Sequence, residues 1–253
     1  MSPQLLSKRE TFKEQSYFDG KAQSRQEWIE KFEAAIADPE TTPEHRRRLL
    51  DTVFRKRLEL LITRYSQGET ISALAQDFPK IISALAAYHS VEEHTPLKFE
   101  EIDAYVIALW LVALAILLDV DDSHFNALLH EVNNERRDAL FDRLVAQRLL
   151  GRPQALTLMY PKPYQPLLEA LDARGEQQAS LINKFLKNYY KGMKRTYWHD
   201  SHLGEDAGFF GYWCFELAAF VKMLKIDDSA FADNIFYPRD LVRRERPNGS
   251  TRE

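Results

Sequence analysis

The chain has 253 residues, of which 45% are apolar and 28% charged, and a formal net charge of −4. That is an ordinary globular composition, with enough length to bury a core as one large domain or two smaller ones. A single cysteine, Cys214, excludes an intramolecular disulfide, and only 9 glycines argue against a turn-rich all-β fold.

The first 20 residues are polar and predict no signal peptide. Residues 7–18 read as a short helix ending near Gly20. A second helix runs from Ser24 to Ala37, with Trp28, Ile29, Phe32 and Ile36 as its apolar face. Pro43 opens a long helix to Gln67, and Gly68 suits its C′ position. Thr70 caps the next helix, through Tyr88, in which Pro79 predicts a kink or a break. After a polar loop, Ala104 to Leu118 forms an apolar run of 15 residues. It falls short of the roughly 18 that a membrane span needs, so it reads as a buried helix over 99–118. One or two helices follow within 121–150.

Four prolines (Pro153, Pro161, Pro163, Pro166) mark 152–166 as a linker between halves. A mixed-face helix spans Glu176 to Tyr197. The loop 198–204 follows, and then a helix from Phe209 to Ile226 carrying Trp213, Leu217, Phe220 and Leu224 on one face. Glu205 and Asp206 suit its positive start. Gly208 and Gly211 fall in its first turn, where the benefit is close backbone approach to a neighbour. Asp227, Asp228 and Ser229 read as the cap of a short helix, and Pro238 as the opening of a last one. No stretch alternates like a strand. The expected fold is all-α, with packed antiparallel helices in two halves, 1–150 and 151–242, before a disordered tail at 243–253.

Two internal patterns stand out. Leu118 to Phe125 reads LDVDDSHF and Leu224 to Phe231 reads LKIDDSAF, an offset of 106 residues. This marks either two related halves or one cap used twice. Charge is also segregated. Val91–Asn134 carries nine acids against one base, and Thr196–Phe236 seven acids against two. Such a surface repels nucleic acid and attracts basic proteins.

The chemistry-bearing residues are few. His199, Asp200, His202, Glu205 and Asp206 hold metal-ligand atom types, but in no known frame. Helix-start carboxylates and a partner-binding loop are the competing readings. The DDSxF sequences lack the glycine and the final glutamate of a calcium loop, so capping explains them better. Glu216 lies beside the buried stripe and needs a partner such as Arg, Lys or a Tyr hydroxyl. Cys214 reads as buried and inert. The basic helix Lys184–Arg195, with Tyr189 and Tyr190 interleaved, suits either phosphate contact or a solvated face.

Tyr212-Trp213-Cys214-Phe215-Glu216, Ile226 to Phe231 and Tyr237-Pro238-Arg239-Asp240-Leu241-Val242 resemble the C-terminal domain of the PoNi immunity proteins. Arg64-Tyr65-Ser66-Gln67-Gly68-Glu69, leading into a helix through Asp77 and Phe78, resembles the N-terminal domain of that family. The resemblance implies a non-enzymatic protein that binds and neutralises a DNase toxin of a type VI or related secretion system. It also implies a structural role for the acid at Glu216.

The expected contact surface is Glu92, Glu93, Asp121, Asp122, Asp200, Glu205 and Asp206. Trp213, Glu216, Asp227, Asp228, Tyr237 and Pro238 are expected to be structural. The partner is the cognate toxin, with no cofactor, no metal, no direct nucleic acid and no membrane; a homodimer stays open, and the setting is cytoplasmic. The alternatives are a metal-dependent hydrolase using His199, His202 and Glu205, or a generic helical interaction scaffold.

Overall fold

The structure is a computed structural model that describes residues 7–91, 97–204 and 208–243. Those residues form ten α-helices and no strand, as the sequence leads one to expect. The helix α4 (Ile102–Leu117) is the axis, buried continuously from Ala104 to Leu117. It has no polar face, so it is stable only when covered all round. α9 (Phe215–Leu224), buried from Phe215 to Val221, packs against it. Trp110 meets Phe215 with ring centroids 6.2 Å apart, and Lys222 reaches the carbonyls of Ile116 and Leu117, so the two helices run parallel.

The repeated sequence has one backbone in both places. Asp119 and Lys225 each take φ 54° at the helix end. Val120 then donates to Ala115 O at 3.0 Å and Ile226 to Val221 O at 3.2 Å. These are equivalent Schellman-type closures. Beyond them the copies part. Asp121 caps α5 (Asp122–Val132), accepting from His124 N at 2.9 Å. Asp227 accepts from Ser229 N at 3.0 Å, but turns follow instead of the expected short helix. Asp228 is held by Tyr237 Oη at 3.2 Å and Arg243 at 3.1 Å.

Around this axis, α1 (Gln15–Ala37), α2 (Pro43–Gln67) and α3 (Ile71–His89) form consecutive hairpins. Thr42 and Thr70 cap α2 and α3, and Gly68, at φ 105°, ends α2. Then come α6 (Ala139–Val145), the hairpin of α7 (Pro161–Asp172) and α8 (Gly175–Gly192), and α10 (Arg239–Val242). The main core runs from Phe18 to Leu241, and a small second cluster of Ile29, Val53 and Leu60 lies between α1 and α2. Among the described residues, no helix is long and apolar enough to cross a membrane.

Several expectations are corrected. Residues 7–14 are not helical, contrary to the short helix expected over 7–18; the helix expected from Ser24 instead begins at Gln15 and runs through Gly20, with Phe18, Arg25 and Ile29 buried. Trp28 stays 45% exposed and stacks on Phe32. α3 passes Pro79 unbroken because Phe78, Ile81, Ile82 and Leu85 on either side are buried. The proline-rich stretch is fastened down rather than free. Asp142 holds Arg152 Nε at 2.8 Å and Ala155 N at 2.9 Å, and Asp138 holds Met159 N at 2.8 Å. Pro161 and Pro163 fall in the first turn of α7, where a missing N–H costs nothing.

α8 ends at Gly192 rather than Tyr197. α9 starts at Phe215, six residues later than expected, so Gly208, Gly211 and Trp213 lie in a preceding non-helical segment and Leu224 is 44% exposed. Pro238 precedes α10 as its N-cap rather than lying in its first turn. The tail expectation falls almost wholly outside the described residues.

Candidate interaction surface

The loop after α8 is tightly braced. Trp198 is buried against Trp110 and Tyr212, with centroids 5.7 and 5.3 Å away. Tyr190 stacks on His199 at 4.2 Å and donates to Asp200 Oδ1 at 2.5 Å. Asp200 takes φ 62°, a left-handed conformation that an aspartate tolerates better than most residues. The Tyr190 hydroxyl holds the Asp200 carboxyl below its usual range, so it is charged at neutral pH. Tyr212 Oη accepts from His202 N at 3.1 Å and meets His202 Nδ1 at 2.8 Å. Burial lowers the His202 pKa, favouring the neutral ring.

Phe12 packs on His202 at 4.9 Å. What remains outward is Asp200, Leu203 (72% exposed) and the edge of Phe12 (39%). An acid beside an apolar anchor on a rigid loop is a suitable protein-contact patch. Phe12 was not singled out in the sequence; its only signal is an aromatic residue in a polar segment.

Asp121 and Asp122 sit elsewhere. Asp121 is 63% exposed in its side chain, and the His124 contacts hold its carboxyl below the usual range. Asp122 pairs with Arg148, whose guanidinium covers the Phe125 ring at 4.3 Å. These two follow the C-terminal end of α4. The 196–204 loop is tied to the N-terminal end of α4, where Tyr197 N donates to Asp103 at 2.9 Å. α4 is 16 residues long, so roughly 24 Å of helix stands between these ends. Glu92, Glu93, Glu205 and Asp206 lie outside the described residues. His199 and His202 share the loop, but Glu205, their expected companion in a metal cluster, is among those outside. No group of three metal-type ligands occurs among the described residues.

The family-like motifs form a buried junction. Trp213 Nε1 donates to Ser66 Oγ at 2.8 Å, and Ser66 Oγ donates to Phe210 O at 2.6 Å. Tyr65 meets Trp213 edge-on at 5.0 Å. Arg9 joins Tyr65 O, Glu69 O and Asp240 at 2.8–2.9 Å. Gly211, at φ 120°, brings its backbone so close that a Cβ would collide with Ser66 and the Trp213 ring. A crevice of about 600 Å³ lies beside this junction, lined by Arg9, Tyr65, Trp213, Tyr237 and Arg239.

Glu216 departs from the pairing expected of it. It is fully buried, and among the described residues neither carboxylate oxygen has a hydrogen-bond partner. The Tyr164 hydroxyl and Cys214 thiol lie near without completing a bond. Burial raises its pKa to about 7, so the acid is mostly protonated below that pH, where it needs no counter-ion, and ionises as the pH rises through neutrality. Cys214 is buried, and burial pushes its thiol pKa well up, so it is not a nucleophile at neutral pH.

The architecture has a solved counterpart. The crystal structure of protein PA2201 from Pseudomonas aeruginosa superposes with a TM-score of 0.74 at 17% identity, covering 94% of this chain and 90% of that one. At that identity the likeness concerns the fold alone. No curated protein sequence matches the chain. Two family models do: the N-terminal domain of the PoNe immunity proteins (PoNi) over residues 9–130 and their C-terminal domain over 136–241. Present in the expected order and spanning nearly the whole described chain, they place this protein in the PoNi family of immunity proteins.

Proposed function

We propose that this chain neutralises a cognate DNase toxin, delivered by a type VI-like secretion system, by binding it stoichiometrically and covering its active-site groove. The observation that carries the reading is the match of both PoNi domains over residues 9–241. The surface chemistry supports it. A DNase must attract a polyanion, so its groove is basic. Asp200 and Asp121 present charges that burial does not quench. Leu203 and Phe12 supply apolar contact beside Asp200. Charge complementarity then speeds encounter, and the apolar anchors slow dissociation. The contact set of Glu92, Glu93, Asp121, Asp122, Asp200, Glu205 and Asp206 remains part of this proposal. The protein acts in the cytoplasm, where the DNA under attack lies.

The test is co-purification with the product of the adjacent gene, followed by a DNA-cleavage assay with and without this protein. A one-to-one complex that stops cleavage supports the reading. An adjacent nuclease that neither binds nor is inhibited overturns it.

A further inference from the structure

The lysine-bearing face of α8 has no role in the surface above, which uses only Tyr190 of that helix. From Gln177 to His199 the chain has five cations, Lys184, Lys187, Lys191, Lys194 and Arg195, and no carboxylate. All five are exposed. Among the described residues, none of their side chains makes an ion pair or hydrogen bond. Most arginines elsewhere in the protein are engaged: Arg9, Arg25, Arg57, Arg64, Arg137, Arg143, Arg148 and Arg152 all meet carboxylates.

Geometry concentrates the free charge. At 100° per residue, Lys184, Lys187 and Lys191 fall within roughly 60° of one helix face. Gln177 and Ser180 extend the same face, which is about 21 Å long at 1.5 Å per residue. Pro163 packs on Gly192, so the exposed Lys162, which makes no ion pair among the described residues, is one residue from the contact at the end of α8. At the Arg195 end, Glu100, Glu101 and Asp103 share the neighbourhood of Tyr160 with Arg195, so the free stripe stops there. The acids of the hairpin itself, Glu169, Asp172 and Glu176, lie outside 177–199, and Asp172 is taken by Arg143 at 2.7 Å.

We infer that this face of α8 binds the phosphate backbone of duplex nucleic acid without reading its sequence. The composition of the face decides the class of partner. Its exposed residues between Gln177 and Arg195 are all polar: lysine, arginine, asparagine, glutamine and serine. A protein interface needs an apolar core, and lysine is depleted there. A membrane-surface helix needs an exposed apolar face. A phosphate backbone needs neither; it takes lysine charges and amide or hydroxyl donors along a straight line. The net charge of −4 is no obstacle. The nearest acids, Asp200 bonded to Tyr190 and the Glu100, Glu101 and Asp103 group near Arg195, stand at the C-terminal end of the stripe. At physiological salt the Debye length is about 8 Å, so a ligand along 177–187 is largely screened from them. Direct nucleic-acid contact, discounted on overall charge, thus returns as a local property. Binding on DNA would hold the protein where a DNase must act; that consequence rests on the proposed function, and the binding itself does not.

Fluorescence anisotropy of a labelled 20-base-pair DNA duplex, titrated with the whole protein and no toxin, tests this. About four neutralised phosphates give a slope of log K against log salt near −3.6. Affinity then drops roughly 100-fold between 50 and 200 mM salt. Joint Lys184→Gln, Lys187→Gln and Lys191→Gln should weaken binding at least tenfold and flatten the slope toward −1. The same charge change at Lys31, Arg48 and Lys80 should leave both within twofold. A duplex RNA arm that binds alike supports backbone recognition. No binding at 50 mM salt overturns the inference. So does equal loss in the control triple, or polyglutamate captured in preference to either duplex, which would indicate an acidic protein partner.

Discussion

Trp213 Nε1 lies 2.8 Å from Ser66 Oγ, joining positions 147 residues apart. Ser66 passes the bond on to Phe210 O at 2.6 Å, and it is fully buried. The hydroxyl therefore satisfies a donor in one family-like motif and an acceptor beside it. Ser66→Ala strands both, at about 1–3 kcal/mol for each unsatisfied group. A loss of about 2–4 kcal/mol in urea unfolding is expected; a loss under about 0.5 kcal/mol would show that the junction is not structural.

Gly211 makes that junction possible. Its φ of 120° is unfavourable for any side chain, and a Cβ would meet Ser66 and Trp213. Gly211→Ala should cost more than about 3 kcal/mol, because strain and steric collision add. Gly20→Ala is the contrast: nothing lies near its Cβ position, and an interior helix glycine gains about 0.5–1 kcal/mol on replacement. Paired thermal melts check both signs.

Glu216 makes stability depend on pH in an unusual direction. Its folded pKa, about 7, lies above the ordinary carboxylate value of 4.5. The folded state holds its proton more tightly, so the contribution is complete below pH 4.5 and lost as pH rises through 7. The span corresponds to about 3 kcal/mol. Glu216→Gln removes the titration. The variant should gain on the wild type between pH 5 and pH 8, read as the difference in urea midpoints. A constant difference across that range would mean that Glu216 does not titrate there.

Lys222 ties the two central helices at their ends. Its ammonium donates to Ile116 O at 3.1 Å, to Leu117 O at 2.8 Å and to Asp119 at 2.9 Å. Leu117 O is among the last carbonyls of α4, which lack a partner within the helix, and Ile116 O accepts from the Asp119 N–H at 3.3 Å as well as from Lys222. Lys222→Met should cost about 1.5–3 kcal/mol, whereas Asp119→Asn should cost less, because Asp119 is half exposed. Equal effects would place the stabilisation in the ion pair rather than in the helix end.

For toxin binding, Asp200→Lys and Asp121→Lys probe patches at opposite ends of α4. Reversal at the patch facing a basic groove should lower the association rate about tenfold or more at low salt and flatten its salt dependence. Leu203→Ala should act mainly on dissociation. Stopped-flow association of each variant with the toxin separates them. Identical rates for all three would remove both patches from the interface.

Much of this protein is determined by sequence alone. Apolar spacing, Thr42, Thr70, Pro43 and Gly68 define α2 and α3, because helix ends are set by local hydrogen-bond and φ requirements. The all-apolar run at 104–117 requires a covered helix for the same local reason, and the family-like motifs were readable as text. The αL closures at Asp119 and Lys225 follow from one repeated sequence. Tertiary structure decided the rest. Residues 209–214 have helical spacing, yet they are held non-helical, since Ser66 and Tyr189 offer hydrogen-bond partners that a helix would forgo. Trp28 fits a core stripe and lies on the surface, because α2 covers the Ile29 side of α1 instead. Whether acids at 121 and 200 stand together is a distance through the fold. No local rule carries that information; the length of α4 does.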